Sequence, residues 1–473
     1  MDGASGAFPG AAAGRLPLVR GPVAVPRAAA PAAAGVVGFR FLLLYFVLEF
    51  ARPQDLFPVL GLIRPSWLAL LGLAITLARS GRVSFASRVT KAFVVLLVAM
   101  TVQVPLAVNT HWAFWSTFAM AQTFVAYLGI VAFARDERRL RLVLWTWIAI
   151  HVYLALYALA HRGVGVGGFL GDENDLAMTL VTALPVAVFV GAATSTGRTR
   201  LLGIASAALM VVGVAATVSR GGFLGLVAVI LYCLVRAPRK LGGAVVIAAL
   251  AGVLALAAPA GYWAEMNTIV TGEQDGREDT GAGRMYEWRV GWRMFLDNPV
   301  LGVGPGNFPY RFAEYEAGES WEGRSLAGRA AHSFYMTLVP ELGTVGVLTV
   351  LVMVVGAWRG LVRARRRTAS APDGRRTPGG RFRALCGLGL EGAVVAFLVT
   401  SVFISTLYYP NLWILLGCMV TLASLPDAAP PGSGASGPGP PGAVPPPGPS
   451  PSQGGSAGRP PGRGPGTGAP RED

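Results

Sequence analysis

"HSFYMTLVPELGTVGVLTVLVMVVGAW", residues 332–358, decides the fold. After His332 it carries a single charge, Glu341, over a run longer than the roughly 20 apolar residues that a helix needs to cross a bilayer. A soluble core helix has a polar face, and this stretch has none. It reads as a membrane span, numbered 333–358, with a titratable ring at its border and a proline and a carboxylate inside it.

The composition extends that reading to the whole chain. Of 473 residues, 53% are hydrophobic and 14% charged, with a mean hydropathy of +0.53. A soluble domain carries roughly 25% charged residues. Apolar blocks recur at 36–51, 59–78, 92–108, 112–134, 142–161, 176–194, 201–218, 222–235, 241–260, 333–358, 384–407 and 411–425. The chain is expected to be an all-α polytopic membrane protein of about twelve spans. A lead at 1–35 and a Pro/Gly-rich tail at 426–473 are expected to be disordered and cytoplasmic, because neither can bury a core.

The net charge of +15 does not indicate nucleic acid. The basic residues cluster in alternate short loops, at Arg79–Lys91, Arg135–Arg141, Arg198–Arg200, Arg236–Lys240 and Arg359–Arg383. Positive loops set membrane orientation, and twelve spans place every one of these on the same, cytoplasmic side. The segments 36–260 and 333–425 then flank one large external loop, 261–332, with seven arginines against eleven acidic residues. Within it, "MYEWRVGWRMFLDN" (285–298) repeats large residues at helical spacing, which predicts a helix. Cys233, Cys386 and Cys418 lie inside apolar blocks, without the spacing of a metal site or a disulfide framework.

Few polar positions on the outer face can carry chemistry. In "ATVSRGGFLGL" (216–226), Arg220 lies away from the cytoplasmic arginines, before Gly221, Gly222 and a helix N-terminus. That set can hold an anion, or the arginine can simply snorkel to the interface. Arg284 and Arg289 in the loop have the forked geometry that grips phosphate, or they line a solvated helix face with Glu287 pairing locally. In "GDENDLAM" (171–178), Asp172, Glu173 and Asp175 suit a helix N-terminus; the alternative is a polar rim in which Asn174 and Asp175 meet sugar hydroxyls. His332 stands where a helix dipole favours the neutral ring, which can accept a proton; it is otherwise an interfacial histidine. Glu341 is about 13 Å deeper on an ideal helix, beside the helix-breaking Pro340. It reads as structural or supporting.

Taken in order, "DENDLA" (172–177), "SRGGFLGL" (219–226), "RMYEW" (284–288), "NPVLGVGPGNF" (298–308) and "HSFYMTLVPELGTVG" (332–346) resemble the O-antigen ligase/polymerase superfamily of bacterial membrane glycosyltransferases. The resemblance covers roughly 36–425, and Ser333 departs from the asparagine the family has after its histidine. "LEFARPQDLFPVL" (48–60) looks like the subgroup called exosortase-associated O-glycosylation ligases. The resemblance implies transfer of a glycan from an undecaprenyl-pyrophosphate carrier to a lipid, glycan or protein acceptor on the periplasmic face of the inner membrane. It implies pyrophosphate held by Arg220, Arg284 and Arg289, a proton taken by His332, and no metal or other cofactor. A polymerase of the same superfamily is the nearest alternative. A transporter or lipid flippase would show two similar halves and ionisable groups near mid-membrane, and the loops here are asymmetric.

Reporters fused after Arg200 and Arg376 are expected to read cytoplasmic, and one placed within 310–325 periplasmic. A cytoplasmic signal from 310–325 would invert the arrangement.

Overall fold

The computed structural model describes residues 32–194, 196–236, 240–271, 281–316, 323, 325–370 and 377–426. Most of the 1–35 lead, the acidic stretch 273–279 and the tail from 427 onward lie outside the described residues.

Described residues form helices joined by turns, with no strand among them. The first seven are α1 (Ala32–Ala51), α2 (Pro53–Leu56), α3 (Pro58–Ile63), α4 (Pro65–Ser80), α5 (Arg88–Gln103), α6 (Thr110–Phe133) and α7 (Glu137–Ala160). Then come α8 (Glu173–Ala193), α9 (Gly197–Thr217), α10 (Arg220–Arg236) and α11 (Lys240–Ala257). The segment between residues 261 and 332 holds α12 (Tyr262–Thr271), α13 (Gly281–Asp297) and α14 (Phe308–Tyr315), and α15 (Phe334–Ser370), α16 (Pro378–Thr400) and α17 (Pro410–Ser424) follow it.

Ten helices among the described residues are long and apolar enough to cross a membrane, so the chain is an all-α polytopic membrane protein. Each of the twelve expected spans meets a helix; α4 reaches span length together with α3 (Pro58–Ser80) and α5 with the short turn of helix after it (Arg88–Leu106), but two fall short of that length. These are α10 and α17, with 17 and 15 residues. At 1.5 Å per residue they reach about 26 and 22 Å, against a hydrocarbon core of about 30 Å. Their termini carry the turns that build the polar end described below. The span expected at 333–358 instead runs to Ser370, because the arginine-rich run after Trp358 is made of good helix formers.

The core forms around α8, in which 17 of 21 residues are buried. Small residues let its neighbours close on it. A Cβ on Gly191 would come within 2.8 Å of the Gly203 backbone in α9, and one on Gly389 of α16 within 3.1 Å of the Pro185 carbonyl. Such close approach replaces the hydrophobic drive that is missing between helices in lipid. By contrast, α11 buries only Leu254.

At the basic end, arginines do more than orient the chain. Arg381 donates to the Ala192 carbonyl at the end of α8, and Arg383 to the Leu425 and Pro426 carbonyls just past the end of α17. These carbonyls have no partner within their own helices. Glu391, fully buried in α16, pairs with Arg236 of α10 at 2.6 Å and with Arg365 of α15, and accepts from the Tyr232 hydroxyl at 3.3 Å. It joins three helices. The cysteines are free: Cys386 and Cys418 are buried, and Cys233 is half-buried.

Removing one partner of a buried ion pair costs about 3–5 kcal/mol. The partial exposure of Arg236 places Glu391→Ala at or below the lower figure. Its thermal midpoint in detergent is expected to fall by several degrees, and an unchanged midpoint would show that Glu391 is not the joint.

Candidate active site

α8, α10, α15 and α17 begin at the same end of the bundle, where α5, α7, α9 and α16 finish. The contacts that establish this are direct. Ser219, just before α10, donates to Asn174 Oδ1 at 2.7 Å in the first turn of α8. The Tyr409 hydroxyl, just before α17, donates to Asp175 Oδ2 at 3.1 Å. Tyr335 in the first turn of α15 donates to the Leu398 carbonyl, and Thr337 to Ser405 Oγ at 3.2 Å, both near the end of α16. Four helix N-termini thus point their free N–H groups and positive dipole ends at one region.

Each predicted site residue has a definite place here. Asp172 caps α8 by accepting from the Asn174 N–H at 2.7 Å. Asp175 is buried; burial and then its carboxylate raise the Tyr409 phenol well above its ordinary value, which keeps it a donor. Ser219 caps α10 by accepting from the Gly222 N–H at 3.1 Å. Gly222 is the glycine that packing requires, since a Cβ there would lie 2.8 Å from that of Ala177 in α8; beside Gly221 the nearest atom is 3.8 Å away.

Arg220, the first residue of α10, is about one quarter exposed. Its Nε lies 3.6 Å from Glu265 Oε1 and its Nη1 3.5 Å from Thr268 Oγ1, both on α12. Neither Glu265 nor Thr268 could be singled out in the sequence, where they sit in an unpatterned stretch. The arginine is held against α12 by these two long contacts.

α13 forms where the large-residue spacing predicts it. Arg284 in its first turn is half-buried, and Arg289 is exposed with its guanidinium 5.7 Å from the Tyr286 ring centre. Arg289 also lines an open hollow of about 400 Å³ with Trp288, Trp292 and Met336. Glu287 is buried, and its Oε1 lies 3.7 Å from Arg329 Nε in the chain that follows α14. The Trp288 indole donates to the Ala331 carbonyl at 3.0 Å. α13 is therefore fixed against the residue before His332.

His332 is half-buried and left-handed (φ 43°), one residue before the cap of α15. Ser333 is that cap, accepting weakly from the Met336 N–H at 3.4 Å. A left-handed conformation is uncommon for a side-chain-bearing residue, and here it turns the chain from the external segment into α15.

Glu341 has a different place. Pro340 and Gly343 (φ 59°, ψ −161°) break α15, and residues 298–308 dock in the break. Val303 and Gly304 donate to the Pro340 and Glu341 carbonyls at 2.8 and 3.0 Å, and Thr344 and Val345 donate to the Pro299 and Val300 carbonyls at 2.9 and 3.2 Å. The Glu341 side chain accepts from Gly306 N at 2.7 Å, Phe308 N at 3.1 Å and the Tyr408 hydroxyl at 2.5 Å. Burial, and then this carboxylate, hold the Tyr408 phenol well above its ordinary value. The glycines of "GVGPG" are needed here: Gly302 has φ 79°, and a Cβ on it would strike the Glu341 backbone at 2.5 Å. Asn307 ties the same loop to Asn109, accepting from its N–H at 2.8 Å and donating to its carbonyl at 3.2 Å.

The stretch 48–60 reaches this end as well. Arg52 pairs with Asp55 and lies 5.9 Å from the centre of the Phe169 ring, which packs 5.3 Å from Tyr409.

Residues 205–351 match the family model described as O-antigen ligase, a stretch that holds Arg220, Arg284, Arg289, His332 and Glu341. The match is at the level of the superfamily. No curated protein matches the chain.

Glu341→Ala strands two amide N–H groups and a phenol, at about 1–3 kcal/mol for each buried group left unpaired. It is expected to lower the thermal midpoint and to open 298–308 to protease, with Glu341→Gln much milder. Equal protease resistance in Glu341→Ala and wild type would remove the carboxylate from this role.

Proposed function

We propose, for a chain of the O-antigen ligase superfamily, that the end shared by the four helix N-termini is a periplasmic glycosyl-transfer site on the inner membrane. The donor is a glycan on an undecaprenyl-pyrophosphate carrier, and the acceptor is a hydroxyl on a lipid, glycan or protein. The observation that carries this reading is the joining of Arg220, the Asn174–Asp175 rim and the start of α15 at one end of the bundle, by bonds from Ser219, Tyr409, Tyr335 and Thr337. Arg220 and His332 fall within the matched domain.

The chemistry follows from the groups present. The acceptor oxygen attacks the anomeric carbon as the bond from that carbon to the pyrophosphate oxygen breaks. The electron pair leaves with the pyrophosphate. Arg220 and Arg284, with Arg289 at the mouth, meet that charge with forked donors, which a lysine cannot reproduce. The dipole of α10 adds to them. Pyrophosphate competes with Glu265 for Arg220, whose 3.6 Å contact is long enough to give way. His332 removes the acceptor proton, and the Asn174–Asp175 rim receives sugar hydroxyls.

Arg220→Ala is expected to abolish transfer in a protein that still inserts, Arg220→Lys to recover little, and Arg284→Ala to follow Arg220→Ala. The purified enzyme is expected to keep its activity in EDTA, the arginines supplying the positive charge. Full transfer by Arg220→Ala would return that arginine to an interfacial role, and a strict divalent-metal requirement would refute charge neutralisation by arginine alone. Supplying lipid, glycan and protein acceptors in turn separates ligase from polymerase.

A further inference from the structure

The loop that docks on α15 borders a second hollow on its other side. This one measures about 390 Å³ and lies between the end of α5, the turn after it and residues 298–304, with Arg311 at its edge. Sites for small molecules run from about 300 to 1,000 Å³. Gln103, the last residue of α5, lines the hollow. The residue is 2% exposed, and neither its amide nitrogen nor its amide oxygen has a partner. Buried amides are nearly always paired, and one with both ends unpaired destabilises the fold it sits in.

The surroundings narrow the ligand. A primary amide offers a donor and an acceptor side by side. That pattern suits a sugar hydroxyl or an acetamido group, each of which can donate and accept. Leu106, Ala107 and Val303 supply apolar lining for the C–H face of a ring. Arg311 is already engaged, its Nε with Glu314 at 2.6 Å and its Nη2 with the Tyr315 hydroxyl at 3.2 Å. The hollow therefore suits an uncharged group and not a phosphate. It shares the 298–304 backbone with the loop that Glu341 holds, at the end where α5 finishes.

We infer that the Gln103 hollow is a saccharide subsite, which holds a neutral sugar residue at a distance from the bond being made. The inference deepens the proposed glycan transfer and rests on it for its biological sense. The sugar can belong to the donor glycan or to a glycan acceptor, since the chemistry recognised is the same.

The test uses the full chain in nanodiscs. Binding of glucose, maltose, N-acetylglucosamine and chitobiose is followed by saturation-transfer NMR in wild type and in Gln103→Leu, which removes both polar atoms and keeps most of the volume. At least one of these sugars is expected to bind wild type, and to bind Gln103→Leu about tenfold or more weakly, as loss of one or two hydrogen bonds implies. The thermal midpoint of Gln103→Leu is expected to stay level or to rise, because an orphaned amide has gone. If no sugar binds wild type, if the variant binds equally well, or if its midpoint falls, the subsite is overturned. With donor and acceptor varied separately, Gln103→Leu is expected to raise the KM of the substrate whose sugar sits there and to leave the other unchanged. A preparation that binds sugar through Gln103 yet transfers no glycan would sink the transfer reading and keep the subsite; the converse would sink only the subsite.

Discussion

The break in α15 is the constraint on which the polar end of the bundle depends. Lipid provides no partner for an exposed peptide group, so a helix can be interrupted at membrane depth only where protein satisfies what is released. Pro340 and Gly343 interrupt this one, and four backbone bonds from residues 299–304 close the gap. The Glu341 carboxylate adds three more, from Gly306, Phe308 and Tyr408. Here a buried carboxylate, costly by itself in such a place, stabilises because two of its three bonds come from the segment it has to hold and the third from Tyr408.

From that joint the rest of the end is positioned. The docked loop carries α14 on one side and follows α13 on the other. Asn307 links it to the start of α6, and Tyr408 links it to the turn before α17. The neighbouring Tyr409 holds Asp175, and Ser219 holds Asn174, which brings α8 and α10 into the same assembly. α13 in turn braces the residue before His332 through Trp288. Placing side chains on helix ends fixed by several such links is what a reaction needs when its geometry has to be met closely.

Much of this was legible in the sequence, for identifiable reasons. Apolar runs located the helices, since burial in lipid selects composition along the chain. The spacing of large residues located α13. Arg220, His332 and Glu341 were visible because charge or a titratable ring next to an apolar run is conspicuous. The pairing partners were not. Glu265, Thr268, Tyr408 and Tyr409 join the candidate site through contacts across long sequence distances, such as the separation of 67 between Glu341 and Tyr408. Nothing local distinguishes them. The shortness of α10 and α17 was legible too, since their apolar blocks, 222–235 and 411–425, are among the shortest in the chain. The role of "GVGPGNF" could be suspected from its glycines, but that it fills a break in another helix emerges only in three dimensions.

The central claim is a division of labour at the outer end: arginines hold pyrophosphate, and His332 moves a proton. The most direct measurement compares donor binding with turnover in His332→Ala, using a lipid-pyrophosphate-linked glycan. The account predicts donor affinity close to that of wild type with transfer slowed about 10²–10⁴-fold, as loss of a general base implies. Donor binding that falls in proportion to rate would contradict it, making the histidine a pyrophosphate ligand and leaving the proton to another group.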